Sequence, residues 1–290
     1  MVFYEFSYII YVCYFHKYNV KINLNYIYTL YLIMTTLFDL TGKNAIITGS
    51  SRGIGKAIAL RMAEHGAKVI ITSRKIDACQ VVADEINSKF GKDRALAIAC
   101  NISYKDQLKN LYTQSLEFCG NISTLVCNAA INPYFGPSMN ISDEAFEKIM
   151  KSNVQSNFWL CNEVIPDMIK DKNGSIIIIS SIAGLHGSSF LGTYAISKAA
   201  DSQLARNISV EYGRNNIRAN CISPGLIKTD FARALWENES ILKASTNRTA
   251  LKRIGMPDEI AGAAVFLASE AGSFMTGQNI VIDGGESEQS

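Results

Sequence analysis

With 290 residues the chain is long enough for one large, well-filled domain and too short for two of that size. Twenty-eight Lys and Arg against 26 Asp and Glu leave a formal charge of +2, with no basic run that would track a nucleic-acid backbone, so small neutral or anionic ligands are the expected partners. The seven cysteines, Cys13, Cys79, Cys100, Cys119, Cys127, Cys161 and Cys221, form no C-x-x-C pair and point to reduced thiols in a reducing, cytoplasmic compartment, while His16, His65 and His186 are too dispersed for a metal site.

Residues 1–33 stand apart in composition, being rich in Tyr, Ile, Phe, Asn, Leu and Lys and containing no Gly, Ala, Pro, Arg, Asp or Gln. They read as a non-native extension or disordered leader, with the true start at Met34. The rival reading is a membrane anchor or signal segment. Its apolar stretches, Ser7 to Phe15 and Tyr26 to Met34, are interrupted by His16 to Asn25. Neither reaches the ~18 to 20 apolar residues that span a bilayer, and no small-residue cleavage site follows.

From residue 34 to 290, short apolar runs alternate with amphipathic stretches, the pattern of β-α-β units. Strands are predicted at Asn44 to Thr48, Lys68 to Ser73, Arg94 to Cys100, Ile122 to Asn128, Gly174 to Ser181, Asn216 to Ile222 and Gln278 to Asp283. Helices are predicted to begin near Gly53, Asp77, Lys105, Ser142, Thr193 and Pro257, the fourth running from Glu144 to Lys170. Right-handed crossovers then give a single α/β domain of Rossmann type, a doubly wound parallel seven-stranded sheet with helices on both faces. The segment from Leu226 to Leu251 carries Phe231, Leu235 and Trp236 and reads either as a lid over a substrate or as an ordinary surface helical pair.

Two motifs carry chemistry. Thr48-Gly49-Ser50-Ser51-Arg52-Gly53-Ile54-Gly55 follows an apolar run and opens an amphipathic one, the setting of a dinucleotide-binding loop. Farther on, Tyr194 and Lys198 stand four residues apart, which puts phenol and ammonium on one helix face, where the cation favours a phenolate. Ser181 ends the apolar run thirteen residues before the tyrosine.

These motifs resemble the short-chain dehydrogenase/reductase family in its compact single-domain branch, and the resemblance runs from about Phe38 to Gly285. Cys127-Asn128-Ala129-Ala130, Asn153, Pro224-Gly225 and Asp283-Gly284-Gly285 fall where the family has matching segments; Ala130 replaces its usual glycine and Asn101 a common aspartate. The resemblance implies Tyr194 as general acid and base, with its pKa lowered by Lys198 and by oxidised nicotinamide. It implies Ser181 as donor to the substrate oxygen, and Asn153 as holder of a water linking Lys198 to solvent.

For the cofactor it implies Gly49 at the sharp turn, Gly53 against the pyrophosphate and Gly55 in helix packing, together with Ser51, Arg52 and Ile54 of the same loop. Asn101 and Ile102 would flank the adenine. Asn128 and Ala129 would line the ribose and nicotinamide side, with Lys198 on the ribose and Tyr194 at the ring. Pro224, Gly225, Ile227 and Thr229 would hold the carboxamide and pyrophosphate. The second strand ends in Thr72-Ser73-Arg74 with no carboxylate for a ribose diol, so Ser73, Arg74 and Arg52 predict NADP(H) over NAD(H).

The expected activity is that of a carbonyl reductase or secondary-alcohol dehydrogenase, most like the carbonyl/retinal reductase subgroup. A 3-oxoacyl-thioester reductase is the enzymatic rival, and a cofactor-sensing protein without catalysis the non-enzymatic one. By the same resemblance the chain is expected to form a homodimer or homotetramer through the helices beginning near Ser142 and Thr193 and the last strand, using an apolar face within Ala195 to Leu204.

Overall fold

The computed structural model describes residues 37–288, so the readings of residues 1–33 and of a start at Met34 lie outside the described part. Strands β1 (Asn44–Thr48), β2 (Lys68–Ser73), β3 (Ala95–Ala99), β4 (Thr124–Cys127), β5 (Gly174–Ile179), β6 (Ile217–Pro224) and β7 (Asn279–Ile282) form one parallel sheet in the order β3-β2-β1-β4-β5-β6-β7. The expected doubly wound α/β fold is therefore present. Its order reverses between β1 and β4, and this switch point opens a crevice at the carboxyl ends of the strands.

Successive residues on the central strands feed opposite faces, which is why the runs are apolar throughout rather than alternating. Ile46, Ile176 and Ile178 enter one buried cluster, and Ile47, Ile177 and Ile179 the other. The second cluster is closed by α1 (Gly53–Glu64), α2 (Ile76–Phe90) and a helix near the C-terminus, through Ile58, Met62, Val82, Ile86, Ile260 and Val265. The first is closed by α3 (Lys105–Cys119) and two later helices, through Leu108, Leu111, Leu160, Val164 and Ile208.

The expected continuous helix from Glu144 to Lys170 is three pieces: α4 (Asp143–Met150), a π-helical turn (Lys151–Gln155) and α5 (Ser156–Asp171). A π turn inserts one residue into the helical ladder, and such insertions gather where a side chain must be re-aimed. Here it carries Asn153. After β5 comes α6 (Gly192–Tyr212), the long helix that presents Tyr194 and Lys198. Beyond β6, α7 (Arg233–Trp236) and α8 (Glu239–Arg248) are the helical pair of the Leu226 to Leu251 segment, and α9 (Pro257–Ala268) leads to β7. No described helix is long and apolar enough to cross a membrane.

Candidate active site

Between β1 and α1, Gly49 and Gly53 take left-handed φ of +67° and +57°. A side chain on Gly55 would sit 2.5 Å from Asn128 Nδ2 and 2.6 Å from the Gly49 carbonyl. Asn128 is the reason for that crowding: its Nδ2 donates to the carbonyls of Thr48 (2.8 Å) and Gly49 (3.2 Å). The amides of Asn128 and Ala129 both donate to Thr48 Oγ1, at 2.9 and 3.0 Å. The Asn128 side chain, expected to line the ribose and nicotinamide side, ties the glycine loop to the end of β4. Ser50, which the sequence reading passed over, is wholly buried; its hydroxyl donates to the Ile47 carbonyl (2.6 Å) and accepts from the Thr72 amide (2.9 Å).

The first turn of α1 has no side-chain cap and no acidic residue, so its amides face outward as an anion site. Across from it, Thr229 Cγ2 lies 3.4 Å from where a Gly53 side chain would start. A cleft of about 330 Å³ runs here, bounded by Gly53, Lys56, Lys228, Thr229, Asp230 and Pro257, and none of the reacting residues lines it. Pro224 ends β6 and the Gly225 amide donates to the Ile282 carbonyl at 3.0 Å, while Ile227 is buried and bridged to Gly255. The uncapped amides, the left-handed glycines and the room opposite Thr229 fit a dinucleotide pyrophosphate.

Arg74 is exposed just after the end of β2, and no carboxylate stands beside it on the strand. Ser73 Oγ and Cys79 Sγ are 3.1 Å apart. Arg52 is less free than expected, since its guanidinium lies 3.4 Å from Asp230. Asn101 Oδ1 accepts from the Ser103 amide (3.2 Å), which fixes the turn carrying Ile102.

Ser181 follows β5 and caps a short turn, its hydroxyl accepting from the Ala183 amide at 3.1 Å. Gly184 lets that turn lie on α6; a side chain there would start 2.8 Å from the Ala199 nitrogen. Tyr194 is half-buried and Lys198 fully buried, with the ammonium 5.8 Å from the centre of the phenol ring. Lys198 Nζ donates to the Ile179 carbonyl (2.8 Å) and to Asp201 Oδ2 (2.9 Å).

Both ends of the Asn153 carboxamide are engaged. Oδ1 accepts from the Ile131 amide (2.9 Å), and Nδ2 donates to the Ile131 carbonyl (3.0 Å) and Ser197 Oγ (3.1 Å). Asn153 thus fastens the loop after β4 to α6.

Burial outweighs the expected lowering of Tyr194 by Lys198. Burial pushes the Tyr194 phenol up, Lys198 and the Ser181 hydroxyl draw it down, Asp201 raises it again, and it ends above the ordinary tyrosine value. Burial alone would lower the Lys198 ammonium, but the Asp201 carboxylate and the Tyr194 phenol oxygen together outweigh that and hold it above the usual lysine value. Burial lifts the Asp201 carboxyl above its usual range, against the pull of Lys198 and Asn157.

Asn157 was missed because its partner lies 44 residues away in the chain, and Asp201 because the stretch from Ala195 to Leu204 reads as apolar. In the fold its buried side is Ser197, Lys198, Asp201 and Ser202, whereas Ile196 is 53% exposed. The available signal was a carboxylate three residues after a lysine on one helix. Phe231 comes to 6.2 Å from the Tyr194 ring, and elsewhere Phe135 and Phe190 stack at 5.5 Å between the segments that follow β4 and β5. Phe231 alone of the expected lid residues reaches the site in this way; Trp236 turns back, its Nε1 donating to the Thr229 carbonyl at 2.7 Å. Among the described residues, no three His, Cys, Asp or Glu side chains gather to hold a metal.

Comparison with known proteins places these features in company. Residues 49–287 match a family model described as enoyl-(acyl carrier protein) reductase. The chain is 38% identical to dehydrogenase/reductase SDR family member 4 of Oryctolagus cuniculus, over 85% of this chain and 94% of that one. A gluconate 5-dehydrogenase from Burkholderia cenocepacia, solved with NADP and tartrate, superposes with a TM-score of 0.84 at 30% identity, covering 89% of this chain and 100% of the other. A 7α-hydroxysteroid dehydrogenase solved with NADH and 7-oxo glycochenodeoxycholic acid gives 0.83 at 36% identity, covering 87% and 96%.

Proposed function

The chain belongs to the short-chain dehydrogenase/reductase family, and from that premise we propose that it transfers a hydride between NADP(H) and a carbonyl or secondary-alcohol substrate. The observation that carries this reading is the convergence of Ser181, just after β5, with Tyr194 and Lys198 on α6, at the strand ends where the glycine loop also opens.

Gly49, Ser51, Arg52, Gly53, Ile54 and Gly55 cradle the pyrophosphate, with Pro224, Gly225, Ile227 and Thr229 opposite. Asn101 and Ile102 border the adenine, and Asn128 and Ala129 shape the wall on the nicotinamide side. When bound, the nicotinamide supplies or accepts the hydride and, oxidised, adds positive charge beside the phenol. Tyr194 gives its proton to the carbonyl oxygen in reduction and takes one from the alcohol in oxidation. The Ser181 hydroxyl donates to that oxygen as negative charge grows on it. Lys198 has one N–H beyond its bonds to Ile179 and Asp201, and this one serves the ribose. Asn153 keeps the loop and α6 in register, and its carbonyl is the acceptor for a water reaching Lys198.

NADP(H) is favoured over NAD(H) by the exposed Arg74, by Ser73 and by the lack of a carboxylate at the end of β2. The Phe231 ring beside Tyr194 favours apolar ketones or quinones over a carrier-bound thioester. Exposed Phe146, Phe158 and Val210 on α4, α5 and α6, with Val281 on β7, support a homo-oligomer. Free thiols at Cys79, Cys100, Cys119, Cys127, Cys161 and Cys221 support the cytoplasm.

The test is a panel of aldehydes, ketones, quinones and 3-oxoacyl thioesters with NADPH and NADH, followed by absorbance of the reduced ring. Tyr194→Phe is expected to cut turnover by about 10²- to 10⁴-fold while NADPH binding persists. Undiminished turnover in that variant would overturn the reading.

A further inference from the structure

Lys198 is surrounded by more than the phenol it is expected to serve. Asp201, one turn along α6, has no exposed surface, and its Oδ2 holds the ammonium at 2.9 Å. Its other oxygen, Oδ1, accepts from Asn157 Nδ2 at 3.0 Å. Asn157 Nδ2 also donates to the Asn153 carbonyl at 2.7 Å, so a continuous polar chain runs from the π turn through α5 to the ammonium. A carboxylate withdrawn from water is costly unless partnered, and its charge acts at short range through a medium that screens poorly.

The groups facing this carboxylate come from every neighbouring element. On α6 itself they are Tyr194 and Lys198; α5 adds Asn157, β4 adds Cys127 and β6 adds Cys221. Cys221 Sγ donates to the Asp201 main-chain carbonyl at 3.4 Å. The hydrogen bond with Cys161 and burial hold the Cys127 thiol well above its usual range, and burial with Asp201 pushes Cys221 up to about 12. Both are neutral wherever the pair operates, which leaves Lys198 as the cation that bonds Asp201.

We propose that Asp201 is a positioning residue for the reaction: it anchors the Lys198 ammonium and shares its charge, so that less of the ammonium's field reaches Tyr194 and the phenol serves first as an acid toward a carbonyl. The inference rests on the hydride-transfer reading above. Alcohol oxidation, which needs the phenolate, is then confined to alkaline pH.

Two readouts test it in wild type and in the near-isosteric Asp201→Asn. One is the pH profile of kcat/KM in both directions. The other is the tyrosinate absorbance of Tyr194, taken as the difference between each protein and the same protein carrying Tyr194→Phe. In Asp201→Asn the oxidation limb and the tyrosinate titration should both move down by about one pH unit or more. A folded variant whose profile stays in place, even with a lowered Tm, overturns the proposal and leaves Asp201 a packing residue. Should Asp201→Asn not fold, Asp201→Glu and Asp201→Ser decide: a tyrosinate titration that moves down in Asp201→Ser and holds in Asp201→Glu supports the proposal, and one that stays in place in both overturns it. Wild type inert toward every substrate would sink the hydride-transfer reading, while the titration would still decide what Asp201 does to Tyr194.

Discussion

The glycine loop after β1 and the face of α6 around Tyr194 open on the same ends of one sheet, yet they are made of different materials. The loop works with backbone: uncapped amides at the start of α1, left-handed glycines, and Asn128 holding the carbonyls of Thr48 and Gly49. The other face works with side-chain charge sealed from water, Lys198 against Asp201 with Tyr194 alongside. Backbone dipoles do not titrate. The loop end should therefore ignore pH and be sensitive to a single added methyl, whereas the α6 end should tolerate small changes of volume and respond sharply to a lost charge.

Lys198→Met is the strongest way to break that contrast. It leaves Asp201 buried without its cation, so stability in denaturant should fall by about 3 to 5 kcal/mol, with turnover lost as well. The deficit should be greatest between neutrality and the ordinary lysine value of ~10.4, shrinking as pH falls toward the ordinary carboxylate range, where a protonated Asp201 no longer needs the partner. It should shrink again as pH rises through the raised Lys198 value, where the wild-type pair loses its cation. A loss independent of pH would mean the pair carries no buried charge.

At the backbone end, Gly55→Ala puts a methyl 2.5 Å from Asn128 Nδ2 and should cost about 1 to 3 kcal/mol, with weaker dinucleotide binding at every pH. A binding defect that changes with pH would erase the distinction between the two ends. Arg74→Asp sharpens it from the other side. An exposed cation added to a backbone cradle should govern only which dinucleotide is taken, so the NADPH over NADH preference should drop by about 10- to 100-fold with stability unchanged. An unchanged ratio would remove Arg74 from the phosphate.

The smallest effect is expected where charge is exposed. Arg253 bonds both oxygens of Glu259 at 2.6 and 2.8 Å. Those bonds, with the Met256 amide, lower its carboxyl to about 2. A depressed folded value means that the contribution is present above the ordinary ~4.3 and is lost as pH falls through about 2. Glu259→Gln should therefore lower Tm slightly at neutral pH, the gap closing across that window. A gap as large as that of Lys198→Met would contradict the link drawn here between burial and sensitivity to charge.

Most of the sheet was legible in the chain because what specifies it is local. A run such as Ile176-Ile177-Ile178-Ile179 has to be buried on both faces, and glycines at 49 and 53 supply backbone angles that other residues rarely adopt. The four-residue step from Tyr194 to Lys198 likewise sets phenol and ammonium side by side on any helix, whatever surrounds it. The π turn at Lys151–Gln155 left no such mark, since adding one residue to a helical ladder barely disturbs its apolar spacing.

By itself, then, the sequence determined the layer architecture, the glycine turn and the pairing of Tyr194 with Lys198, all consequences of periods and of single-residue backbone freedom. Only the tertiary structure decided that Asn128 would brace the loop, that Asn153 would hold Ile131 to Ser197, and that Asp201 and Asn157 would close around the ammonium. The physical reason is distance along the chain. Asn157 and Asp201 are separated by 44 residues. Whether a polar side chain meets water or a buried partner depends on which helix packs beside it, and that is set by the fold as a whole.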